Sequence, residues 1–211
     1  VRTMQYQMQK GSFEPAYFEQ KFRMKGVFPL VGKIDRIDIR REDDAIYLKV
    51  MDYKSGRKQF SLDDVYYGLS MQLPVYMNAA VSFLQERYPQ TTIIPAAMLY
   101  YRLQKPIIEI EGTKAEEEIE AEIRKQMKPD GLLLGEDCVL TMLDQGFSTD
   151  SDVMRVGRKK DGSFKAASQV ISQEDLGLLL SYTQKKAEQM MQQMACLLYT
   201  SPSPRDKRQS R

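Results

Sequence analysis

Val31-Gly32-Lys33-Ile34-Asp35-Arg36-Ile37-Asp38 and Val50-Met51-Asp52-Tyr53-Lys54-Ser55-Gly56 are the two stretches on which the reading of this chain turns. Val31, Ile34, Ile37 and Ile39 supply β-branched bulk that favours extended backbone, and Glu42-Asp43-Asp44 is a polar turn. The spacing therefore predicts strands over 27–40 and 45–54, joined as an antiparallel hairpin. Side chains alternate along a strand, so Asp52 and Lys54 share one face and Tyr53 takes the other. Asp35 lies on the opposite arm, where pairing can set its carboxylate beside that of Asp52.

Two carboxylates and a backbone carbonyl, here that of Tyr53, compose a hard-oxygen site suited to Mg²⁺ or Mn²⁺. Such an ion polarises a phosphate and lowers the pKa of a bound water, and Lys54 is placed to stabilise the charge that develops. Asp-x-Lys on a strand is by itself common decoration, and two strand carboxylates often just face solvent. The helix that follows adds weight. Gln72 and Tyr76 are four apart on one helical face, where an amide and a phenol could contact a phosphate or brace the metal site. The plainer alternative is a half-buried tyrosine beside a satisfied amide.

Outward from this pair, 14–24 alternates towards its end and reads as a strand, with Gly26 permitting a turn. Leu62, Val65, Tyr66, Leu69, Leu73, Tyr76, Ala80 and Leu84 recur at three- and four-residue steps, which predicts a helix over 62–85 capped by Ser61. Pro74 falls inside it, so a kink or restart is expected there. A third core strand is predicted over 92–103 with a short extension at 106–111, then a helix over 114–127, a loop at 129–134 and a short helix at 136–143. The polar, Gly-containing stretch 149–167 reads as a loop or small hairpin. Ser172, with Asp175 three residues on, opens a last helix to about residue 194. No internal repeat is present. The pattern implies an α/β fold, a central mixed β-sheet flanked by helices.

At 211 residues, 42% hydrophobic and 28% charged, the chain can bury a substantial core. It contains no histidine, which removes the commonest general base, Ser-His and Cys-His nucleophile pairs, and every His-containing metal site. Its two cysteines, Cys138 and Cys196, suggest neither a disulfide framework nor a zinc site. No apolar run approaches the roughly 18 to 20 residues that span a bilayer, and no signal peptide is visible. A cytoplasmic protein without membrane contact is expected.

The stretch from Cys196 to Asp206 (Cys-Leu-Leu-Tyr-Thr-Ser-Pro-Ser-Pro-Arg-Asp) breaks from the Met- and Gln-rich segment before it and resembles the translation of a transposase-based sequencing adapter. Residues 196–211 are accordingly set apart from a domain over 1–195 and expected to be disordered, and a chain that opens on Val1 is expected to lack both natural ends. The tail holds Arg205, Lys207, Arg208 and Arg211 against Asp206; taking four from 31 basic and one from 29 acidic residues turns a net charge of +2 into −1. Overall basicity then says nothing about nucleic acid.

Taken in order, Gly32-Lys33-Ile34-Asp35-Arg36-Ile37-Asp38, Asp52-Tyr53-Lys54-Ser55-Gly56 and Gln72-Leu73-Pro74-Val75-Tyr76 resemble the motifs of the RecB-like branch of the PD-(D/E)XK nucleases. Within it, residues 13–194 are most similar to the C-terminal nuclease domain of the AddB family of helicase–nuclease subunits. The resemblance implies a restriction-endonuclease-like core and Mg²⁺-dependent exonucleolytic cleavage of DNA, in AddB on the strand with the 5′ end at the break. It implies double-strand-break processing for recombinational repair, in the bacterial cytoplasm, as a heterodimer with an AddA-type helicase–nuclease subunit. By motif, Asp35 and Asp52 resemble the metal ligands, Lys54 the catalytic lysine, and Gln72 and Tyr76 the supporting motif. One departure stands out: members of the AddB family also resemble one another in flanking cysteines that hold a four-iron (4Fe-4S) cluster, and neither Cys138 nor Cys196 matches them. Two other readings are another RecB-like nuclease, such as the iron–sulfur exonucleases of CRISPR adaptation, and a catalytically silent DNA-binding or scaffolding module. The long insert between 105 and 167 argues against the first, and Asp35, Asp52 and Lys54 together argue against the second.

Overall fold

Strand β2 (Leu30–Arg41) pairs antiparallel with β3 (Ala45–Lys54) from Arg36 opposite Met51 to Arg41 opposite Ile46, the hairpin expected around the Glu42-Asp43-Asp44 turn. It sits inside a six-stranded mixed sheet in the computed structural model, which describes residues 2–24, 29–106 and 116–200, with backbone alone for 2–4 and 197–200. The strand order is β1-β2-β3-β4-β5-β6, where β1 is Glu14–Met24, β4 Thr92–Arg102, β5 Asp130–Leu134 and β6 Val170–Ile171. β1 runs antiparallel to β2, β4 parallel to β3, β5 antiparallel to β4 and β6 parallel to β5.

The helices are α1 (Arg2–Lys10), α2 (Leu62–Tyr66), α3 (Gln72–Arg87), α4 (Glu116–Gln126), α5 (Asp137–Leu143) and α6 (Gln173–Thr200). A parallel pair needs a crossover, and α2 and α3 supply it between β3 and β4. α3 packs on β4, β3 and β1, and α6 packs on α3. Ile34, Ile37, Leu48, Leu73, Met77, Leu84, Met98, Leu133 and Leu140 are fully buried between sheet and helices. Each such side chain contributes about 1.5–3 kcal/mol of apolar burial. This is the α/β fold with a mixed sheet and flanking helices that the sequence implies.

Several expectations are corrected. The predicted helix over 62–85 is two helices. α2 ends at Tyr66, Gly68 turns with φ of 80°, and α3 restarts at Gln72. Pro74 thus falls in the first turn of α3, where a missing N–H costs nothing. Ser61 does cap α2, accepting the Asp64 N–H at 3.2 Å. The predicted loop at 129–134 is instead β5, buried along its whole length. Helix α6 is capped by Ser172, which accepts the Asp175 N–H at 3.0 Å, and its backbone stays helical through Thr200, beyond the predicted end near 194. The expectations for 25–28, 107–115 and 201–211 lie outside the described residues.

A buried ion cluster braces the hairpin. Asp38 is fully buried, accepts from Arg36 at 2.5 and 2.9 Å, and lies 2.9 Å from Lys49 Nζ. Alternation sends Arg36 and Asp38 to one face of β2 and leaves Asp35 on the other.

Candidate active site

At the open end of the hairpin the β2–β3 register runs out at Arg36 and Met51. One residue further, the Asp35 carboxylate accepts the backbone N–H of Tyr53 at 2.8 Å, taking over a donor that the strand ladder no longer serves. Asp52 and Lys54 share a face of β3 as strand alternation requires, with Lys54 Nζ 2.5 Å from Asp52 Oδ2. Helix α3 begins where it can reach them. Gln72 Oε1 accepts from Lys54 Nζ at 2.8 Å, while its Nε2 donates to Asp52 Oδ1 at 3.0 Å and to the Tyr76 hydroxyl at 2.9 Å. A lysine can only donate and a carboxylate only accept, so these neighbours fix which way the amide points. Asp52, Lys54, Gln72 and Tyr76 are joined by direct contacts. Asp35 is tied to them through the Tyr53 backbone and through its charge.

That charge is felt. Burial pushes the Asp52 carboxyl above the usual carboxylate range, Lys54 pulls it back, and nearby Asp35 pushes it up again. Asp52 is only 3% exposed, and its buried Oδ2 has the Lys54 ammonium, 2.5 Å away, as its close partner. Asp35 keeps its second oxygen without a partner among the described residues. Two neighbouring carboxylates that share one ammonium carry excess negative charge, and oxygen donors of this kind are what a hard divalent cation takes. The residues present therefore fit such an ion. Among the described residues no group of three or more His, Cys, Asp or Glu side chains is placed to hold a metal, so a site here needs backbone or water oxygens to complete it.

A four-iron cluster does not fit. It takes four thiolates, and the sequence has two cysteines, one of them exposed Cys138 on α5.

Phe22 and Tyr100 support the site and escape a reading of the sequence. Gly32 faces Phe22 across the β1–β2 pair, and a Cβ on Gly32 would lie 2.6 Å from the Phe22 ring. The glycine thus lets Phe22 lie over β2 and meet Tyr76 edge to face at 5.6 Å. Tyr100, the partner of Asp52 across the parallel β3–β4 ladder, places its ring 5.4 Å from Lys54 Nζ and its hydroxyl 3.5 Å from Ser70 Oγ. Only the glycine carries a local signal, as the first residue of Gly-x-x-Asp; the others depend on register between strands distant in sequence.

The family model described as the PD-(D/E)XK nuclease superfamily matches residues 1–195. Among individual proteins, the chain is 38% identical over 192 residues to the B subunit of the ATP-dependent helicase/deoxyribonuclease of Lachnoclostridium phytofermentans, covering 86% of this chain and 16% of that protein. It is 36% identical over 201 residues to the B subunit of the same description from Clostridium botulinum, covering 89% and 17%. The corresponding figures for Bacillus mycoides are 37% over 180 residues, 84% and 15%. The chain thus spans about one sixth of the length of the curated relatives it matches. Among the described residues no helix is long and apolar enough to cross a membrane. With the mixed sheet, the carboxylate–lysine pair on its third strand and a family match over nearly the whole length, the chain belongs to the PD-(D/E)XK nuclease superfamily.

Proposed function

We propose that this chain is the nuclease domain of a B subunit of an ATP-dependent helicase–nuclease and that it hydrolyses DNA phosphodiesters with Mg²⁺ or Mn²⁺. The observation that carries the reading is the Gln72 amide, which holds Lys54 at 2.8 Å and Asp52 at 3.0 Å in one fixed array, with Lys54 Nζ 2.5 Å from the buried Asp52 Oδ2. In this reading Asp35, Asp52 and the Tyr53 carbonyl hold the ion. When bound, the ion supplies Lewis acidity to the scissile phosphate and acidity to a water.

The chain's own residues do the rest. Lys54 donates to a non-bridging phosphate oxygen as charge grows on it, in a half-buried setting where such a contact outweighs its value in water. Gln72 keeps Lys54 from collapsing wholly onto Asp52, since its oxygen offers the ammonium a second acceptor. Tyr76 fixes Gln72. The relatives' description as B subunits of an ATP-dependent helicase/deoxyribonuclease supports work on DNA beside a second subunit. An AddA-type partner, double-strand-break processing and a cytoplasmic location in a bacterium are what the motif resemblance implies.

The test is cleavage of end-labelled DNA by the parent chain and by Asp52→Ala, with Mg²⁺, with Mn²⁺ and with chelator, beside DNA binding by fluorescence anisotropy. The parent should cut only with metal, and Asp52→Ala should bind DNA without cutting it. Equal cleavage by both proteins overturns the site assignment. Binding without cleavage by the parent favours a silent DNA-binding module.

A further inference from the structure

Beyond Lys54, the sheet opens into a second feature. β3 and β4 run parallel with Lys54 beside Arg102 at their ends, and β5 starts next to them at Asp130, opposite Tyr100. A shallow cleft, open to solvent, lies at these ends. Its charged lining is Lys54, Arg57, Lys58, Arg102, Lys128 and Arg155 against the single carboxylate Asp130. The whole chain has 31 basic and 29 acidic residues, so this excess is local and does not follow from composition.

Only part of the excess is neutralised from within: Lys54 pairs with Asp52 at 2.5 Å and Arg155 with Asp130 at 3.3 Å, which leaves Arg57, Lys58, Arg102 and Lys128. Asp130 is already engaged: its Oδ1 accepts the Phe60 N–H at 2.7 Å and its Oδ2 lies 3.3 Å from Arg155 Nε. The Nε atom of Arg102 is buried and has no hydrogen-bond partner among the described residues, while Arg155 Nε has the Asp130 carboxylate at 3.3 Å. A buried donor left unmade is costly, and an incoming acceptor removes that cost. Lys128 is pushed below the usual lysine range first by burial; Asp152 opposes the shift and the positive charge of Arg155 adds to it. Cations crowded in this way, with an unmade donor among them, call for an anion.

The cations are strung over the end of β3, the 56–58 loop, the end of β4 and the segments at 128 and 155, so no single phosphate can meet them all. Lys54 belongs both to this row and to the carboxylate site. We propose that the cleft seats the phosphodiester backbone of the DNA strand adjoining the scissile phosphate, with Arg57, Lys58 and Arg102 as phosphate-positioning residues. The proposal rests on the nuclease reading above. Among the described residues Tyr100 is the one aromatic residue in the lining, so the cleft grips phosphates and leaves bases unread, in keeping with a nuclease that must pass any sequence.

The test uses the 211-residue chain with Arg57→Gln/Lys58→Gln, a pair exposed on a loop, and a control of equal charge change, Lys159→Gln/Lys160→Gln, exposed outside the cleft. Binding of labelled single-stranded DNA is followed across a salt series, with thermal unfolding as the check on folding. Each phosphate contact on a single strand contributes about 0.7 to the slope of log K against log salt. The cleft pair should therefore flatten the slope by about 1.4 and weaken binding about 25-fold at 0.1 M salt, while the control keeps the parent's slope. A slope for the cleft pair equal to that of the parent, or a control that loses as much, overturns the proposal while metal-dependent cleavage by the parent leaves the nuclease reading standing. A parent that cuts no DNA, beside a cleft pair with the flattened slope, retires the nuclease reading and keeps the cleft.

Discussion

The Asp35 carboxylate accepts the Tyr53 N–H at 2.8 Å one residue beyond the last β2–β3 pair, so one side chain both closes the hairpin's open end and brings a negative charge to Asp52. These two jobs can be separated. Asp35→Asn retains a carbonyl that can accept the Tyr53 N–H and loses only the charge; Asp35→Ala loses both. Both should abolish metal-dependent cleavage. Only the alanine variant leaves the N–H unserved, at a cost of about 1–3 kcal/mol. Chemical denaturation of the two variants beside the parent measures the difference, and equal stability for all three would show that the hydrogen bond is idle.

Gln72 offers a second separation, because its amide touches Lys54, Asp52 and Tyr76 while holding no position of its own in the chemistry. Groups that orient metal ligands typically cost about 10–100-fold in activity or metal affinity when removed. Gln72→Ala should fall in that range. Gln72→Glu should be worse, since it sets a third carboxylate about where an amide nitrogen now sits 3.0 Å from Asp52. Tyr76→Phe removes one acceptor from the amide and should be milder than either. Metal titrations of cleavage rank the three.

The hairpin and the site residues were legible for the same reason. Alternation in Ala45–Lys54 marks a strand whose face assignments put Asp52 and Lys54 together without further information. β5 was not legible. Pro129-Asp130-Gly131 has turn-forming composition, yet Gly131 is there because a Cβ would lie 2.0 Å from Met98 O, where β5 meets β4. A glycine demanded by close strand approach and one demanded by a turn look alike in sequence. The same limit hides Arg102 and Tyr100, which reach the site only through the parallel register of β3 and β4, and Phe22, which reaches Tyr76 over Gly32. Helix α1 lies outside every element that the sequence pattern predicts, though Tyr6 packs against the core.

Asp38 supports the site from the opposite face of β2. It is fully buried between Arg36 and Lys49, so its removal takes the shared carboxylate away from two cations. Breaking such a cluster from one side typically costs about 3–5 kcal/mol. Asp38→Ala should lower the urea midpoint accordingly with an unchanged slope, and a loss under about 1 kcal/mol would mean that water reaches the cluster.

Away from the site, Tyr88 supplies a pH signature. The Arg41 guanidinium donates to its hydroxyl at 2.8 Å and Tyr17 adds a second hydrogen bond, which lowers its pKa to about 8. An unfolded tyrosine ionises near about 10. Between these values the folded chain binds fewer protons than the unfolded one, so this contribution to stability grows as pH rises through the window. It is complete above about pH 10 and absent below about pH 8. Titration of tyrosinate absorbance should reveal one early step that Tyr88→Phe deletes and Arg41→Gln moves back towards the unfolded value. An early step that survives Tyr88→Phe would assign it to another of the 12 tyrosines.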